Sequence, residues 1–347
     1  MRLRFPFRLA PIVCGLLATA LVGCPASENT SESPTAQVPP VSAERRTLDQ
    51  PAPPGPRGAQ NSPTAEAELP PVGDIKPVAL KPVEAVGTLN LEWFSLGGRN
   101  ARSEADLQKV AEVIRETGAA ILGLQEVDDD GVMDRLLRYL PGWKYAIGTS
   151  GRQQRCAILW DTNRAAVRRP MEWGDINEGL EASAGNLRAP LVAEARIGKF
   201  DFTLIVVHLK AMFDEESIRK RRTQLRRLRA RLDEYLADRA DKDVVIVGDF
   251  NDVADSPAMK ELIGSRKGGV GFVVTGAKLP KTVTTYLGKN DRIDHVVVSS
   301  PFVSQEEWNG KASVFPKPKT DERQVYEKSV SDHLPTWSTF DTTQDRD

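Results

Sequence analysis

The chain has 347 residues, of which 40% are hydrophobic, and its formal net charge at pH 7 is −1. This composition is that of a globular protein and leaves room for one large domain or two ordinary ones. The small net charge excludes a strongly basic polyelectrolyte and gives no overall bias towards nucleic acid or an anionic membrane surface.

The N-terminal segment has the pattern of an export signal. Arg2, Arg4 and Arg8 precede an apolar stretch over residues 10–22, which is shorter than the roughly 20 residues that a membrane span needs. The stretch ends in "LVGC", which is similar to a bacterial lipobox and would make Cys24 the lipidated first residue of the mature protein. The alternative is an ordinary signal peptide with an incidental cysteine. We expect residues 1–24 to be a lipoprotein signal that anchors an exported protein at the cell envelope, with the outer membrane or cell surface favoured.

The segment that follows is rich in proline. Of the 24 prolines in the chain, 13 lie between Pro25 and Glu84, among many Ser, Ala and Thr residues. Such a segment cannot bury enough apolar surface to offset the entropy lost on folding. Residues 25–85 are therefore expected to form a disordered tether between the anchor and a folded domain.

The three cysteines do not predict an intramolecular disulfide. Cys14 leaves with the signal and Cys24 carries the lipid, so only Cys156 remains in the folded part. It begins the apolar run "CAILW", so we expect a buried, unreactive thiol rather than a nucleophile.

A globular pattern runs from about residue 86 to about residue 340 without a second linker, which predicts one domain over residues 86–347. Apolar runs predict strands at Thr88–Phe94, Ala119–Leu124, Ala157–Trp160, Leu191–Ile197, Phe202–Val207, Val244–Val247, Ile293–Val298 and Thr336–Phe340. Helical spacing of apolar residues predicts helices at Ala105–Glu116 and Ser217–Asp238. Many strands with few helices indicate sheets with helices packed outside them.

The second predicted helix carries a stripe of basic residues: Arg219, Lys220, Arg221, Arg222, Arg226, Arg227, Arg229 and Arg231. The stripe could contact phosphate groups of a nucleic acid. The alternative is the solvated face of an amphipathic helix, which acidic residues continue towards its end. We favour the solvated face.

Polar side chains occur at or inside six of the predicted strands. They are Asn90, Gln125 with Glu126, His208 with Lys210, Asp249 with Asn251, Asp294, and Asp332 with His333. All three histidines of the chain lie in these six segments. A buried polar group without a partner costs about 1–3 kcal/mol, so six coincidental occurrences are a poor explanation and a shared site is a better one.

The residue types in these segments indicate the chemistry of the site. Carboxylates and amides are ligands for a hard cation, and no thiolate or multi-histidine pattern suggests zinc, so Mg²⁺ or Mn²⁺ is expected. The sequence has no G-x-S-x-G elbow and no P-loop. A metal, a histidine and a carboxylate base together can hydrolyse a phosphate ester with water.

In this order and spacing, "QE", "HLKA", "GDFND" and "SDH" resemble the endonuclease/exonuclease/phosphatase superfamily, which is related to pancreatic-type deoxyribonuclease. The resemblance covers about residues 86–340. It implies an α/β fold, namely a four-layer αββα sandwich of two mixed sheets flanked by helices. It also implies a phosphate-ester hydrolase with its active site at one edge of the sheets.

The resemblance assigns metal binding to three residues. Glu126 would be the principal ligand, Asn90 would lie beside it, and Asp332 would lie close to the metal. The expected cofactor is Mg²⁺ or Mn²⁺.

The resemblance also assigns catalytic roles. Asp249 would activate or orient the attacking water, and Asn251 would position the phosphate. His208 and His333 would stabilise charge on the phosphoryl oxygens or protonate the leaving group, with Asp294 orienting His333.

Three further residues lie in or near these motifs. Arg188 matches a position at which relatives hold a phosphate, although an arginine at a strand start can also be structural. Lys210 is a second candidate for substrate binding. His295 is expected to serve packing, because relatives often have an aromatic residue there.

The same core cleaves DNA, RNA, phosphoinositides and sphingomyelin, so the resemblance does not choose the substrate. His208 in "HLKA" is similar to the secreted nucleases rather than to the abasic-site repair branch. We therefore expect a monomeric nuclease that acts on DNA or RNA outside the cytoplasm without an obligate protein partner. The alternatives are a phosphoinositide or inositol phosphatase, a sphingomyelinase-like phosphodiesterase, or, more remotely, a non-catalytic envelope binding protein.

Overall fold

A computed structural model of the chain describes residues 82–98, 101–180, 187–265, 269–301, 307–343 and 345. The predicted signal, Cys24 and nearly all of the predicted tether lie outside these residues. In the part that is described, no helix is long and apolar enough to cross a membrane.

In the described part of the chain, twelve strands form two six-stranded sheets. They are β1 Val83–Phe94, β2 Ala119–Val127, β3 Trp143–Ile147, β4 Arg155–Asp161, β5 Ala165–Glu172, β6 Leu191–Ile197, β7 Phe200–His208, β8 Val244–Asp249, β9 Phe272–Val274, β10 Asp294–Ser299, β11 Trp308–Val314 and β12 Thr336–Asp341. The first sheet has the order β11-β12-β1-β2-β4-β3 and the second has the order β5-β6-β7-β8-β10-β9. Each sheet is mixed, because β1 pairs with β2, and β7 with β8, in parallel while the other pairs are antiparallel.

Among the described residues, four α-helices with defined bounds cover the outer faces of the sheets: α1 Glu104–Thr117, α2 Asp130–Leu137, α3 Glu215–Ala237 and α4 Thr320–Ser329. Apolar residues of α1, α2 and α4 share one buried cluster with the first sheet, and those of α3 share another with the second sheet. A third cluster is formed by residues of the two sheets that face each other. The three clusters separate four layers, so the predicted αββα sandwich is confirmed.

The residues of β8 show why its sequence is continuously apolar. Val245 and Val247 belong to the cluster between the sheets, while Val244 and Ile246 belong to the cluster under α3. Alternate side chains of a strand point to opposite faces, and both faces of this strand are covered. The strand is therefore a rigid mount for the polar residues at its C-terminal end.

The boundaries and number of elements differ from the predictions. All eight predicted strands are present, with ends that shift by a few residues, and β1 begins at Val83, before the predicted domain start at residue 86. Four strands, β3, β5, β9 and β11, and two helices, α2 and α4, were not predicted. Most residues of β5 and β11 are exposed or half-buried, so these strands lack the apolar run that reveals a central strand.

The basic residues of α3 fall into two groups. Arg219, Arg222 and Arg226 are exposed, as the solvated-face interpretation requires, but that interpretation is wrong for Lys220, Arg221 and Arg229, which are buried. Arg229 bonds Asp233 and donates to three main-chain carbonyl groups of the segment that follows β8. A buried guanidinium is stable only when its donors are paired, so these arginines fasten loops to the helix.

Strands that are distant in sequence meet beside the site. β1 pairs with β12 on one side and with β2 on the other. Just before β12, Ser331 Oγ donates to the carbonyl oxygen of Asn90 at 2.6 Å across 241 positions of sequence. In the second sheet, His208 lies opposite Asp249 and Asp249 lies opposite Asp294.

Candidate active site

A cleft of about 460 Å³ lies where the site-bearing ends of the two sheets meet. Eight of the ten predicted site residues line it: Glu126, Arg188, His208, Lys210, Asp249, Asn251, Asp332 and His333. The other two, Asn90 and Asp294, lie directly behind it and hydrogen-bond to residues of its wall. The structure therefore brings all six polar segments of the sequence together, while Cys24 lies outside the described residues.

The Asn90 amide joins the two sheets at the base of the cleft. Its Nδ2 donates to Glu126 Oε1 at 3.3 Å and to Asp249 Oδ2 at 3.1 Å. Its Oδ1 accepts from the main-chain N–H of Glu92 at 3.0 Å. In this arrangement Asn90 holds two carboxylates side by side, and its assignment as a metal ligand stays a prediction.

Glu126 is fixed by a bulge in the first sheet. The pairing of β1 with β2 is interrupted between Asn90 and Phe94, and Glu92, Trp93 and Glu126 all have positive φ, at 48°, 51° and 62°. Such angles are unusual for bulky residues and recur at functional sites. The bulge turns the Trp93 N–H towards Glu126 Oε2, which accepts its hydrogen bond at 3.0 Å.

Asp249 ends β8 as a buried carboxylate with defined contacts. Its Oδ1 accepts from the N–H of Asn251 at 2.8 Å, and Asn251 has a φ of 51°. Gly248, with a φ of 149°, is needed next to it because a Cβ there would clash with the Val207 carbonyl oxygen. Burial raises the pKa of Asp249 to about 7, and the charge of Asp294 adds to this shift. A carboxyl with that pKa can accept a proton from water near neutral pH.

His333 and Asp294 form a buried pair on the other side of Asp249. His333 Nδ1 lies 2.8 Å from Asp294 Oδ2, and the two residues are 6% and 1% exposed. Burial alone would lower the pKa of His333, but the charge and hydrogen bond of Asp294 raise it to about 10. His333 is therefore an imidazolium at neutral pH and places a positive charge at the cleft.

His208 differs from His333 in charge. Its Nε2 lies 3.7 Å from Glu126 Oε1 and 3.6 Å from Asp249 Oδ2. Burial lowers its pKa well below the ordinary value, and the charge of Arg188 acts in the same direction. His208 is thus neutral, and its Nδ1 has no hydrogen-bond partner among the described residues. It can accept or donate a proton towards a bound phosphoryl group.

The acids of the cleft fit a divalent cation. Burial raises the pKa of Asp332, and burial together with Asp332 raises the pKa of Glu92 to about 7. Carboxylates with raised pKa values lack compensating positive charge, and oxygen-rich clusters are the usual sites of Mg²⁺ and Mn²⁺. Ligand atoms of Asp249, Asp294 and His333 also lie within 4.8 Å of one another. Asp294 already bonds His333, so we interpret that trio as a base beside a hydrogen-bonded pair. The assignment of Glu126 and Asp332 as metal ligands stays a prediction.

The two predicted substrate-binding cations both reach the cleft. Arg188 is 6% exposed, and its Nη2 donates to the carbonyl oxygen of Leu209 at 2.9 Å. Lys210 Nζ donates to the carbonyl oxygen of Ala211 at 3.0 Å. Their positions are compatible with phosphate binding, which stays a prediction. His295 lies outside the cleft wall, packs on Phe250 with ring centroids 5.5 Å apart, and has the expected packing role.

Several cleft residues were missed from the sequence, among them Glu92, Trp93, Gln154, Phe213 and Tyr286. Glu92 follows Asn90 by two positions, which places both on one face of a regular strand and could have identified it. Tyr286 packs on the imidazole of His333 with ring centroids 5.0 Å apart. No sequence pattern distinguishes Trp93 or Phe213 from core aromatic residues, because their position depends on the bulge and on a loop.

Several solved structures are similar in fold. A truncated TDP2 from Caenorhabditis elegans has a TM-score of 0.54 and 19% identity, over 74% of this chain and 97% of that chain. The human Nocturnin catalytic domain with bound sulfate has a TM-score of 0.51 and 19% identity, over 76% and 96%. A mannosyl-6-phosphatase from Bacteroides thetaiotaomicron has a TM-score of 0.51 and 15% identity, over 74% and 98%.

No curated protein matched the sequence. The family comparison is more informative, since residues 87–333 match the sequence profile of the Endonuclease/Exonuclease/phosphatase family. That range holds every predicted site residue of the folded domain. The chain therefore belongs to the Endonuclease/Exonuclease/phosphatase family and is a hydrolase of phosphate esters.

Proposed function

We propose that this protein is a Mg²⁺- or Mn²⁺-dependent phosphodiesterase that hydrolyses DNA or RNA at the cell envelope. The observation that supports it best is one cleft in which a buried base, Asp249, lies between a neutral His208 and a charged His333–Asp294 pair. These are a base and two charge-stabilising groups, which together suit water attack on a phosphodiester.

The proposed reaction uses the residues of the chain as follows. Asp249 accepts a proton from the attacking water at the oxygen that does not bond Asn251. The imidazolium of His333 stabilises the negative charge that develops on the phosphoryl oxygens, and Asp294 keeps it protonated and oriented. His208 and the Asn251 amide, which is held by the Leu209 carbonyl at 3.1 Å, position the phosphate.

Enzymes of this family depend on a divalent metal. Glu126 and Asp332 would hold it here, with Asn90 beside them. When bound, the metal supplies charge neutralisation for the phosphoryl group and the leaving oxygen. The choice of Mg²⁺ or Mn²⁺ follows from the oxygen-rich donor set.

A second candidate is a phosphomonoesterase, such as an inositol phosphatase. Arg188 and Lys210 both line the cleft, and a terminal phosphate carries more negative charge than a diester for them to balance. The envelope location is supported only by residues 1–24 and the tether, which argue for an exported, lipid-anchored protein.

A substrate panel tests the proposal. Purified protein with Mg²⁺, Mn²⁺ or EDTA is given plasmid DNA, RNA, an inositol phosphate and sphingomyelin vesicles. We expect metal-dependent cleavage of DNA or RNA, and a loss of about 10²–10³ in rate in H333A. The matched control is H295Q, which changes a buried histidine outside the cleft wall. The nuclease assignment would be refuted if the protein leaves DNA and RNA intact but hydrolyses the phosphomonoester or the phospholipid.

Cell fractionation tests the location separately. Mass spectrometry of the membrane fraction should find Cys24 diacylated, and C24S should move the protein out of that fraction. A soluble wild-type protein with an unmodified N-terminal region would refute the anchor and leave the enzymatic proposal standing.

A further inference from the structure

Two exposed aromatic side chains line the active-site cleft, and they come from the two different sheets. Trp93 follows Asn90 at the end of β1 and is 42% exposed. Phe213 follows His208 beyond the end of β7 and is 55% exposed. Single exposed aromatic residues are common on protein surfaces, so exposure alone is not informative. The informative feature is how the main chain around these two side chains is held.

A buried arginine holds the segment that carries Trp93, residues 91–93, which we call the first rim segment. Arg102 is 9% exposed, and its Nη2 donates to the carbonyl oxygens of Leu91 and Glu92, both at 2.9 Å. Its Nη1 donates to the Lys328 carbonyl oxygen in α4 at 2.6 Å. The clamp maintains the positive φ of Trp93, which a bulky residue does not adopt without support.

A second buried arginine holds residues 209–213, the second rim segment, in the same manner. Arg221 is 2% exposed, and its Nη1 donates to the carbonyl oxygens of Lys210 at 2.8 Å and Met212 at 3.0 Å. Its Nε pairs with Asp252 at 2.9 Å. Met212 has a φ of 80°, so this segment is also strained.

The two segments thus share three features: a positive φ, a buried arginine bonded to two of their carbonyl groups, and an exposed aromatic ring in the cleft. Strained backbone costs about 1–3 kcal/mol per residue and persists where the surrounding structure imposes it. Burying a guanidinium adds a further cost unless its donors are paired. These contacts fix the main chain that carries the rings, and they do not pack the rings into the core, because both rings remain exposed.

We propose that Trp93 and Phe213 are stacking platforms for unpaired nucleobases on the strand whose phosphate is cleaved. This inference rests on the proposed nuclease function and names its substrate class, single-stranded DNA or RNA. Bases stack on aromatic side chains regardless of sequence, and only an unpaired, unstacked base exposes its face for this. Lys289 supports the assignment, since its Nζ lies 3.5 Å from the centroid of the Phe213 ring and brings positive charge for a neighbouring phosphate.

The test compares the full-length wild type with W93A, F213A and the double variant on two oligonucleotides of equal length. One carries thymine at every position, and the other is abasic over the same sugar–phosphate backbone. Each alanine variant is expected to raise KM about 5- to 150-fold on the thymine oligonucleotide, which is the loss of affinity that corresponds to removing one stacked base. The penalty should shrink on the abasic oligonucleotide, and W93F and F213Y should restore the wild-type KM. M171A is the control, because Met171 is 55% exposed and lies on β5, outside the cleft.

Equal effects of W93A and F213A on both oligonucleotides would overturn the inference, because the rings would then act through the fold alone. A wild type that cleaves a duplex faster than a single strand of the same sequence would overturn it as well. If the wild type leaves both oligonucleotides intact and hydrolyses sphingomyelin vesicles or a sugar phosphate, the proposed function fails and the inference fails with it. The first two outcomes leave the nuclease assignment standing, so the failures are distinguishable.

Discussion

The Asp294–His333 pair offers the sharpest test of the proposed chemistry. In D294N, an amide of nearly the same size replaces a carboxylate that is 1% exposed and lies 2.8 Å from His333 Nδ1. The main-chain N–H of Asp294, which donates to Thr285 Oγ1 at 3.1 Å, is unchanged. The substitution therefore removes the negative charge and leaves the packing nearly intact.

The expected size of the effect follows from the charge of His333. Burial lowers the pKa of His333, whereas the charge and hydrogen bond of Asp294, followed by the charges of Asp249 and Asp332, raise it to about 10. Without that carboxylate the two largest contributions that raise the pKa of His333 are lost, so we expect its pKa to fall and the imidazole to carry less positive charge at neutral pH. Loss of one charge-stabilising group costs about 10²–10³ in kcat, or about 2.7–4 kcal/mol of barrier. The residual activity of D294N should fall further as the pH rises through the lowered pKa of His333.

Two measurements check this prediction. The first is kcat and KM on the preferred nucleic acid, where we expect the loss to lie in kcat. The second is a pH titration of the imidazole signals by NMR in metal-free protein, which is tractable because the chain has three histidines. One imidazole should stay protonated at about pH 8 in the wild type and none in D294N. D291N, a carboxylate change in the same segment, is the control. A D294N enzyme with near-normal kcat, or a His333 that still titrates as in the wild type, would refute the assigned role.

Three other predictions concern the scaffold. R221M should cost about 3–5 kcal/mol of unfolding free energy in urea, because it leaves buried partners without a cation. R222M, at an exposed position of the same helix, should cost at most about 1 kcal/mol. Equal losses in the two variants would contradict the role of Arg221 in holding residues 209–213. G248A should destabilise by more than about 1 kcal/mol and reduce activity, because Gly248 has a φ of 149° and lies against a carbonyl oxygen; G97A, where a Cβ meets nothing within 4 Å, is its control. Burial raises the pKa of Cys156 to about 12, so peptide mapping should find Cys156 unmodified by iodoacetamide until denaturant is added, and rapid alkylation of the native protein would show that the thiol is accessible.

The central strands and the site could be predicted because they leave a strong pattern in the sequence. Strands such as β8 are buried on both faces and therefore read as apolar runs. The polar residues that interrupt or end those runs stand out against them, which is why Glu126, Asp249 and His333 could be found. The resemblance then supplied the order in which the segments meet.

The peripheral elements could not be predicted for a physical reason. The segment that contains β11 and α4 is mostly polar, since both elements cover only the edge or outside of the sandwich. Their stability comes from tertiary contacts, such as Tyr326 packing in the cluster of the first sheet, rather than from a periodic apolar face. Such contacts are not visible from local sequence.

The buried arginines show a second limit. Arg102, Arg221 and Arg229 look like ordinary surface residues in the sequence, and arginine is seldom fully buried. Their burial depends on main-chain carbonyl groups that only the folded loops bring together. Trp93 and Phe213 were missed for the same reason, because their exposure in the cleft follows from those loops.

The pairing of β1 with β12 has a consequence for biosynthesis. Asn90, at the base of the cleft, lies in β1 and is synthesised early. His333 and β12, which follows it, are among the last parts of the domain to leave the ribosome. A nascent chain therefore cannot form the complete cleft, because the residues of its opposite sides come together only when synthesis of the domain is nearly finished. A premature stop before His333 removes part of the cleft wall together with β12, the strand that pairs with β1.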